Sequence, residues 1–298
     1  MNEMTRRLRG KIRQSRSEKY MHINDAVNLT TEYIFKYYEN RLTFLSRPQV
    51  EEFELLILST QKDLELALLN ARNMLNLYPS QIRSVKIITQ EPTETKGIDP
   101  RISLIHEVLL LQNQMVLKTC SSFGERSNWI KQQYLKMKYV SDSDIPVLII
   151  DADTFLSRQI FLFSENSHTL LIGREDFHYA YTANCRKYYG TTQPLLNFVN
   201  HLQVQVPSYY HSSFTEDFDS AWVRWAVLGH RYGEDSPISE FQTYASAVLS
   251  SPEQVPIIVT LLHETKNVEN MTIDDFENIL KNFQGDLLTV GNKLLIRS

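Results

Sequence analysis

Short apolar runs alternate with amphipathic stretches between residues 53 and 150. Continuous apolar runs stand at residues 53–58 (FELLIL), 85–89 (VKIIT) and 146–150 (PVLII), and such runs are typical of strands that are buried on both faces. The stretches over residues 62–77 and 128–139 repeat apolar side chains at helical spacing. This alternation with short links predicts an α/β fold, in which helices flank a mostly parallel sheet.

Shorter patterns predict the remaining elements. They are helices over residues 25–45, 103–113, 217–228, 239–249 and 273–283, strands over 115–119, 169–172 and 255–262, and a hairpin over 287–295. No internal repeat or Gly/Ser-rich linker separates them. We therefore expect one α/β domain over residues 49–298, preceded by a basic arm and a helical extension over residues 1–48.

The composition is that of an ordinary folded protein. The chain has 298 residues, of which 42% are hydrophobic and 22% charged, and this excludes wholesale disorder. No apolar run reaches the roughly 18 residues of a membrane span, and no signal peptide is evident. Two cysteines, Cys120 and Cys185, exclude a disulfide scaffold and a cysteine zinc cluster and fit a reducing compartment. We expect a cytoplasmic protein.

The charge is unevenly distributed along the chain. The net charge is −4, whereas residues 1–19 hold seven basic and two acidic side chains, which gives +5 there and −9 over the rest. Met1, Met4, Leu8 and Ile12 would form a thin apolar stripe on a helix of this arm. Such a stripe between arginines suits an anionic membrane surface, so the arm is a peripheral contact with the inner membrane face, a contact with nucleic acid or a protein partner, or a solvated tail. The overall charge gives no case for nucleic-acid binding.

An acidic triplet, Asp151-Ala152-Asp153, follows the apolar run 146–150 directly. Two other triplets of this form occur, at residues 142–144 and 217–219, but neither follows a predicted strand. In an extended strand, residues two apart project to the same side, so we expect both carboxylates to converge at the end of the sheet. Paired carboxylates hold Mg²⁺ or Mn²⁺ beside a diphosphate, although a solvated turn would explain the same residues.

Two classes of enzyme carry this arrangement. One is the metal-dependent glycosyltransferase that uses a sugar nucleotide, and the other is the aspartyl-phosphate phosphatase, whose first motif is DxDx[TV]. Phe155 stands here at the fifth position, and the later apolar run 255–262 is followed by His263-Glu264 and not by an acidic pair. The phosphatase is therefore the less favoured alternative.

Three segments resemble a bacterial family of glycosyltransferase-like proteins of the GT-A type. They are residues 126–136 (RSNWIKQQYLK), 147–158 (VLIIDADTFLSR) and 239–244 (SEFQTY), and the resemblance extends over about residues 53–265. It implies a GT-A-like, Rossmann-type α/β fold. It also implies a nucleoside-diphosphate sugar, a UDP- or GDP-sugar, as donor and a polysaccharide or lipid-linked glycan as acceptor. The family does not specify the sugar or the acceptor.

Donor-binding candidates fall into two groups. One group lies on a single face of the predicted helix 128–139, and the other follows the first predicted strand, where a GT-A enzyme takes its nucleoside. These residues are Trp129, Gln133 and Lys136, and Ser59, Thr60 and Lys62. Gln133 and Lys136 could meet donor hydroxyls or phosphate, with Trp129 packed beneath them. Alternatively, Trp129 is a core residue with snorkelling neighbours, and the second group is a helix cap.

Glu240 and Asp153 are the catalytic candidates. Glu240 starts a predicted helix, whose dipole should lower the pKa of the carboxyl and aim the side chain outward, toward an acceptor hydroxyl. There it could act as a general base. Alternatively, Ser239 caps the helix and Glu240 has no further role.

The remaining candidates concern the metal and the acceptor. His263 could add a third metal ligand to Asp151 and Asp153, and His201 is a candidate for a metal, diphosphate or acceptor contact. Glu175 and Asp176 could face the acceptor. Tyrosines at positions 179, 181, 188 and 189 could stack on a sugar or form a half-wet surface. A catalytically silent sugar-nucleotide-binding module and a scaffold protein stay open as alternatives.

Overall fold

The fold was obtained as a computed structural model of the full chain. It describes residues 48–92, 97–165, 167–172, 181, 184–185, 198, 201–213, 217–230, 238–251, 253, 255–259, 263–267, 271–291 and 295–296. The predicted arm and the helix over 25–45 lie outside these residues, and of the predicted extension over 1–48 only residue 48 is described. Within them, no helix has the length and apolar character needed to cross a membrane.

Thirteen strands and seven helices lie in the described residues. The strands are β1 (Phe53–Leu58), β2 (Ile82–Thr89), β3 (Ile102–His106), β4 (Val147–Asp151), β5 (Thr154–Leu156), β6 (Phe163–Ser164), β7 (Ser167–Leu171), β8 (Leu202–Gln205), β9 (Val255–Val259), β10 (His263–Asn267), β11 (Met271–Thr272), β12 (Leu287–Gly291) and β13 (Leu295–Ile296). The helices are α1 (Leu64–Leu77), α2 (Gln114–Ser121), α3 (Ser127–Asp142), α4 (Pro207–Ser213), α5 (Phe218–His230), α6 (Glu240–Ser250) and α7 (Ile273–Asn282).

The central sheet is mostly parallel. Its five strands lie in the order β3-β2-β1-β4-β8, and only β8 runs antiparallel to its neighbour. Leu58, the last residue of β1, pairs with Ile88 on one side and with Asp151 on the other. The sheet confirms the predicted α/β class.

Strand β1 is covered on both faces, as its continuous apolar run predicts. Successive side chains of a strand point to opposite faces. Leu55 and Ile57 enter the core that α1 covers, whereas Leu56 enters the core built with α3, α5 and α6. Helices therefore flank the sheet on both sides, and the carboxyl ends of the strands are left for polar residues.

The structure corrects the prediction for residues 103–119. This stretch forms strand β3, a short 3-10 turn and then helix α2, and not a helix followed by a strand. Parallel pairing with β2, Val85 against Ile102, holds β3 in the sheet. The side chain of Asn113 accepts a hydrogen bond from the Met115 backbone N–H at 2.9 Å and starts α2. A sheet partner and a helix cap, rather than the apolar spacing, decide these two elements.

The predicted C-terminal hairpin over residues 287–295 is also wrong. Strand β12 pairs in parallel with β10 and antiparallel with β5, while β13 pairs in parallel with β11. The two strands thus find partners elsewhere in the chain and not each other. Gly291-Asn292 suggested a tight turn, but Leu287 and Leu288 of β12 are instead buried in pairing with β5 and β10.

Helix α1 fixes the turn that joins β4 to β5. The Asn70 side-chain amide donates to the Asp151 carbonyl at 3.1 Å and to the Thr154 carbonyl at 2.6 Å, and Asn73 donates to the Leu156 carbonyl at 2.8 Å. Asn70 is fully buried, so these carbonyls have little access to water as an alternative donor. The backbone of the acidic triplet is therefore held from one side by a helix.

We expect Asn70→Ala to lower the free energy of unfolding by about 1–3 kcal/mol, because buried carbonyls lose their donor. Urea unfolding at neutral pH measures this change. Asn278→Ala is the matched control, because Asn278 is exposed on α7 and its loss should change stability by less than about 0.5 kcal/mol. Equal effects of the two substitutions would contradict the anchoring role of Asn70.

Candidate functional site

The candidate site lies where the order of the central strands reverses. From β1 the chain moves outward to β2 and β3, and it then returns to place β4 on the other side of β1. In open α/β sheets, ligands bind in the crevice beyond the carboxyl ends of the two strands at such a switch point. Ser59 follows β1, and Asp151 ends β4 next to Leu58. The structure thus brings two predicted groups of site residues to the same edge of the sheet.

Asp151 is held by three contacts besides the hydrogen bond from Asn70. Its backbone N–H donates to the His201 carbonyl at 3.0 Å, which ties the end of β4 to the start of β8. One carboxylate oxygen, Oδ1, lies 2.9 Å from Lys136 Nζ, and the other, Oδ2, lies 2.9 Å from His201 Nδ1. An ionised carboxylate can only accept, so Nδ1 of His201 carries the proton in this pair. The side chain of Asp151 is 30% exposed and is the part of this cluster that solvent reaches best, together with His201.

Lys136 joins two carboxylates. From α3 its ammonium reaches Asp151 Oδ1 at 2.9 Å and Glu240 Oε1 at 2.6 Å, and it lies 5.0 Å from the centre of the Phe241 ring. Its side chain is only 6% exposed. Lys136 was predicted to meet donor phosphate, but its ammonium is buried in an internal ion pair.

Glu240 begins α6 and is enclosed by polar side chains. Its backbone N–H donates to Gln133 Oε1 at 3.0 Å, and its carbonyl accepts from Gln205 Nε2 at 3.4 Å. Ser239 caps the helix through its side chain, which accepts from the Gln242 N–H at 3.3 Å. The Glu240 side chain is 2% exposed and points to Lys136, so the prediction that it aims outward is wrong. Gln133 likewise contacts α6, which gives it a partner within the protein.

The pKa values of the two carboxyls in the cluster are shifted in opposite directions. Burial alone would raise the pKa of Asp151, but the charge of Lys136 and the hydrogen bond from His201 lower it well below its usual range. Burial raises the pKa of Glu240 above its usual value despite the nearby ammonium, whereas the predicted effect of the helix dipole was to lower it. Burial also acts to lower the pKa of Lys136, and the two carboxylates together raise it instead. Asp151 is thus the stable anion, and Glu240 takes up a proton first.

Asp153 lies beyond the end of the strand. Strand β4 stops at Asp151, and Asp153 belongs to the turn before β5, so the alternation that predicted convergent carboxylates does not extend to it. Its carbonyl accepts from the Val290 N–H at 2.8 Å, which fixes the turn to β12. Its side chain is half-buried.

The described residues give the predicted metal site little support. Among them, no group of three His, Cys, Asp or Glu side chains could hold a metal ion. Each oxygen of Asp151, a predicted ligand, already contacts a nitrogen. His263 begins β10, and its side chain lies outside the described part of the chain. A metal bound through Asp151, Asp153 and His263 stays a prediction.

The residues that follow β1 lie at the same edge as Asp151. The hydroxyl of Ser59 donates to the Thr60 carbonyl at 2.9 Å, and that of Thr60 donates to Asp63 Oδ2 at 2.8 Å. Thr60 and Lys62 are exposed, and Lys62 belongs to a 3-10 turn that leads into α1. The side chain of Thr60 makes no capping hydrogen bond to a backbone N–H of the 3-10 turn, so the capping interpretation is not supported, and Lys62 is exposed at this edge.

Trp129 packs within the protein. Its ring stacks on Tyr181 with centroids 6.1 Å apart and planes inclined by 14°. Tyr181 is buried. The predicted acceptor residues Glu175 and Asp176, and the tyrosines at positions 179, 188 and 189, lie outside the described residues.

Two supporting residues were missed at the sequence level. Asn70 interrupts the apolar face of α1 between Ala67 and Ala71, and a polar residue in such a stripe signals a buried hydrogen bond. Gln205 is fully buried in β8, where its amide also donates to Gln203 Oε1 at 2.9 Å. A buried glutamine in a strand carries no comparable sequence signal, because either face of β8 could have been exposed to solvent.

No protein-family model matches this chain, and no curated protein does so. Among solved structures, the chain is similar to the galactosyltransferase LgtC, whose crystal structure holds donor and acceptor sugar analogues. The TM-score is 0.46 with 10% sequence identity, and the match covers 80% of this chain and 88% of LgtC. A similarity at this level carries no argument about what this chain binds or does.

The acid limb of the stability profile, which is the fall in the free energy of unfolding at acidic pH, tests the charge state of Asp151. Because the folded state lowers its pKa, its ionisation stabilises the fold above the unfolded-state pKa of about 3.9, and this contribution is lost as the pH falls below that value. Asp151→Asn should therefore flatten the decline in unfolding free energy below about pH 4. Denaturant titrations at several acidic pH values measure it.

Asp142→Asn is the matched control for that titration. Asp142 pairs with Lys138 at the same 2.9 Å distance, but its side chain is 48% exposed. Exposed pairs contribute little, so this variant should keep the wild-type acid limb. An equally flat limb in both variants would show that burial of the pair is not the cause.

Proposed function

We propose that this chain is a glycosyltransferase of the GT-A type. It would transfer a sugar from a UDP- or GDP-sugar to a polysaccharide or a lipid-linked glycan. One observation carries the proposal: the carboxylate of Asp151 is fixed at the switch point between β1 and β4, where an α/β sheet takes its ligand. The sequence resemblance over residues 126–158 supplies the class of reaction.

The residues at the crevice suit a nucleoside-diphosphate sugar. The fixed carboxylate of Asp151 can accept hydrogen bonds from ribose or sugar hydroxyls, which are donors. The exposed ammonium of Lys62, near the end of β1, can attract the diphosphate. The Ser59 and Thr60 backbone and hydroxyls border the same edge, where the nucleoside would lie.

The metal and the base are the parts of the proposal that lack support in the geometry. Mn²⁺ or Mg²⁺ bound with Asp151, Asp153 and His263 is retained as a prediction from the sequence. A base role for Glu240 requires an acceptor to reach a side chain that is 2% exposed here. Acceptor contacts by His201, Glu175 and Asp176 are retained in the same way, and only His201 of these lies at the described edge.

The burial of Glu240 favours one second candidate function. A sugar-nucleotide-binding module without catalysis would keep Asp151 at the crevice and would use Glu240 only as a counter-ion. The phosphatase has no such support. Phe155, which departs from the phosphatase motif, is fully buried and packs 4.9 Å from the Phe276 ring, so this position is committed to the core.

Nucleotide binding is the direct test. Thermal unfolding with UDP, GDP or ADP, each with and without Mn²⁺, should show a stabilised protein with at least one uracil or guanine nucleotide. A ligand at one hundred times its dissociation constant adds about 2.7 kcal/mol of stability. Asp153→Ala should remove any part of the stabilisation that requires Mn²⁺.

Asp144→Ala is the matched control, since Asp144 belongs to the other triplet at residues 142–144 and is exposed. It should bind like the wild type. Absence of stabilisation by every nucleotide, with or without metal, would refute the proposed function. Stabilisation that is equal without Mn²⁺ would refute its metal dependence alone.

Membrane attachment through residues 1–19 is a separate prediction. Each Lys or Arg at an anionic surface contributes about 1 kcal/mol, and salt screens this attraction. Deletion of residues 1–19 should abolish co-sedimentation with phosphatidylserine vesicles at low salt and leave nucleotide binding unchanged. A variant with glutamine at the seven basic positions of the arm separates charge from the apolar stripe. Unchanged vesicle binding after the deletion, or none by the intact chain, would leave the arm as a tail.

A further inference from the structure

The contacts of Lys136 are directed inward. Its ammonium lies 2.9 Å from Asp151 and 2.6 Å from Glu240, and its side chain is 6% exposed. A side chain with so little surface contacts a ligand poorly, whereas Asp151 is 30% exposed at the crevice. Any effect of Lys136 on a bound ligand therefore passes through Asp151.

Glu240 cannot move away from this ammonium easily. Its backbone is held on two sides, by Gln133 on α3 and by Gln205 on β8. The same helix α3 carries Lys136 one turn after Gln133. Glu240 is thus a fixed anchor, and the ammonium of Lys136 bridges from this anchor to the end of β4.

Without the ammonium of Lys136, the carboxylates of Asp151 and Glu240 would lose the cation that lies between them. Like charges in a buried site repel, and removal of one partner leaves a buried charge without compensation. The other titratable group that faces Asp151 is His201, whose ring nitrogen lies 2.9 Å from the opposite carboxylate oxygen. His201 is 29% exposed and cannot replace a buried cation beside Glu240.

We propose that Lys136 is a positioning residue of this site: anchored by Glu240, its ammonium holds the Asp151 carboxylate in the orientation that a nucleotide ligand meets. This inference rests on the proposed function for the identity of the ligand, but not for the internal geometry. Lys136 has no direct contact with the nucleotide in this arrangement.

Four variants separate positioning from a merely structural role. Lys136→Met keeps the length of the side chain and removes the charge, and Glu240→Gln removes the buried anion. Lys136→Met/Glu240→Gln removes both charges together. Lys138→Met is the matched control, because Lys138 lies on the same helix and pairs with Asp142 at the surface, also at 2.9 Å.

Stability and affinity should respond differently. Lys136→Met should lower the thermal unfolding midpoint by about 10 °C, as expected when a buried ion pair loses one partner. The double variant should regain most of this loss, because the carboxylate of Glu240 is then no longer a buried charge without compensation. Nucleotide affinity, measured by calorimetry well below the unfolding midpoint, should fall about tenfold in Lys136→Met and stay reduced in the double variant.

The position of Asp151 can also be followed without nucleotide, by nuclear magnetic resonance of His201. In protein labelled with ¹⁵N-histidine, the ring-nitrogen signals of His201 report its contact with Asp151, and His201→Asn assigns them among the eight histidines. These signals should shift in Lys136→Met and in the double variant, and they should be unchanged in Lys138→Met.

Two results would overturn the inference. One is recovery of affinity together with stability in the double variant, which would make Lys136 a structural residue only. The other is an unshifted His201 signal in Lys136→Met, which would show that Asp151 is held without it. If the wild type binds no nucleotide, the proposed function fails, and the histidine signals still decide whether Lys136 positions Asp151.

Discussion

A buried ammonium must be paired, and this requirement organises the candidate site. Lys136 lies almost out of contact with water, so its charge is compensated by Asp151 and Glu240 within hydrogen-bonding distance. These three residues come from α3, β4 and α6, which are separated along the chain by up to about a hundred positions. Their meeting joins α3 and α6 to the carboxyl end of β4.

The turn at Asp151-Ala152-Asp153 is held through its backbone and through the side chain of Asp151. Asn70 on α1 binds the backbone carbonyls of Asp151 and Thr154 from one face of the sheet. Lys136 and His201 bind the carboxylate of Asp151 from the other side. Backbone and side chain are thus fixed by different elements, which is the arrangement expected of a preorganised binding edge.

Glu240 shows how burial overrides a local rule. At a helix N-terminus the dipole favours a charged carboxylate, by less than about 1 kcal/mol at an exposed position. Full burial disfavours the charge more strongly, and the pKa of Glu240 is raised. Whether Glu240 serves as base or as counter-ion therefore depends on access to its side chain and not on its place in the helix.

The sequence by itself determined the α/β class, the strands β1, β2 and β4 and the helices α1 and α3 on the two faces, because continuous apolar runs and helical spacing are local signals. It also placed Asp151 at a strand end. The partners of residues 102–121 and 287–296 were decided by pairing between distant segments, which local spacing does not encode. The inward orientation of Lys136 and Glu240 was decided by tertiary structure as well. From sequence alone, a lysine and a glutamate are expected to face solvent. Only the approach of α3 and α6 over the end of β4 removes both side chains from water and pairs their charges.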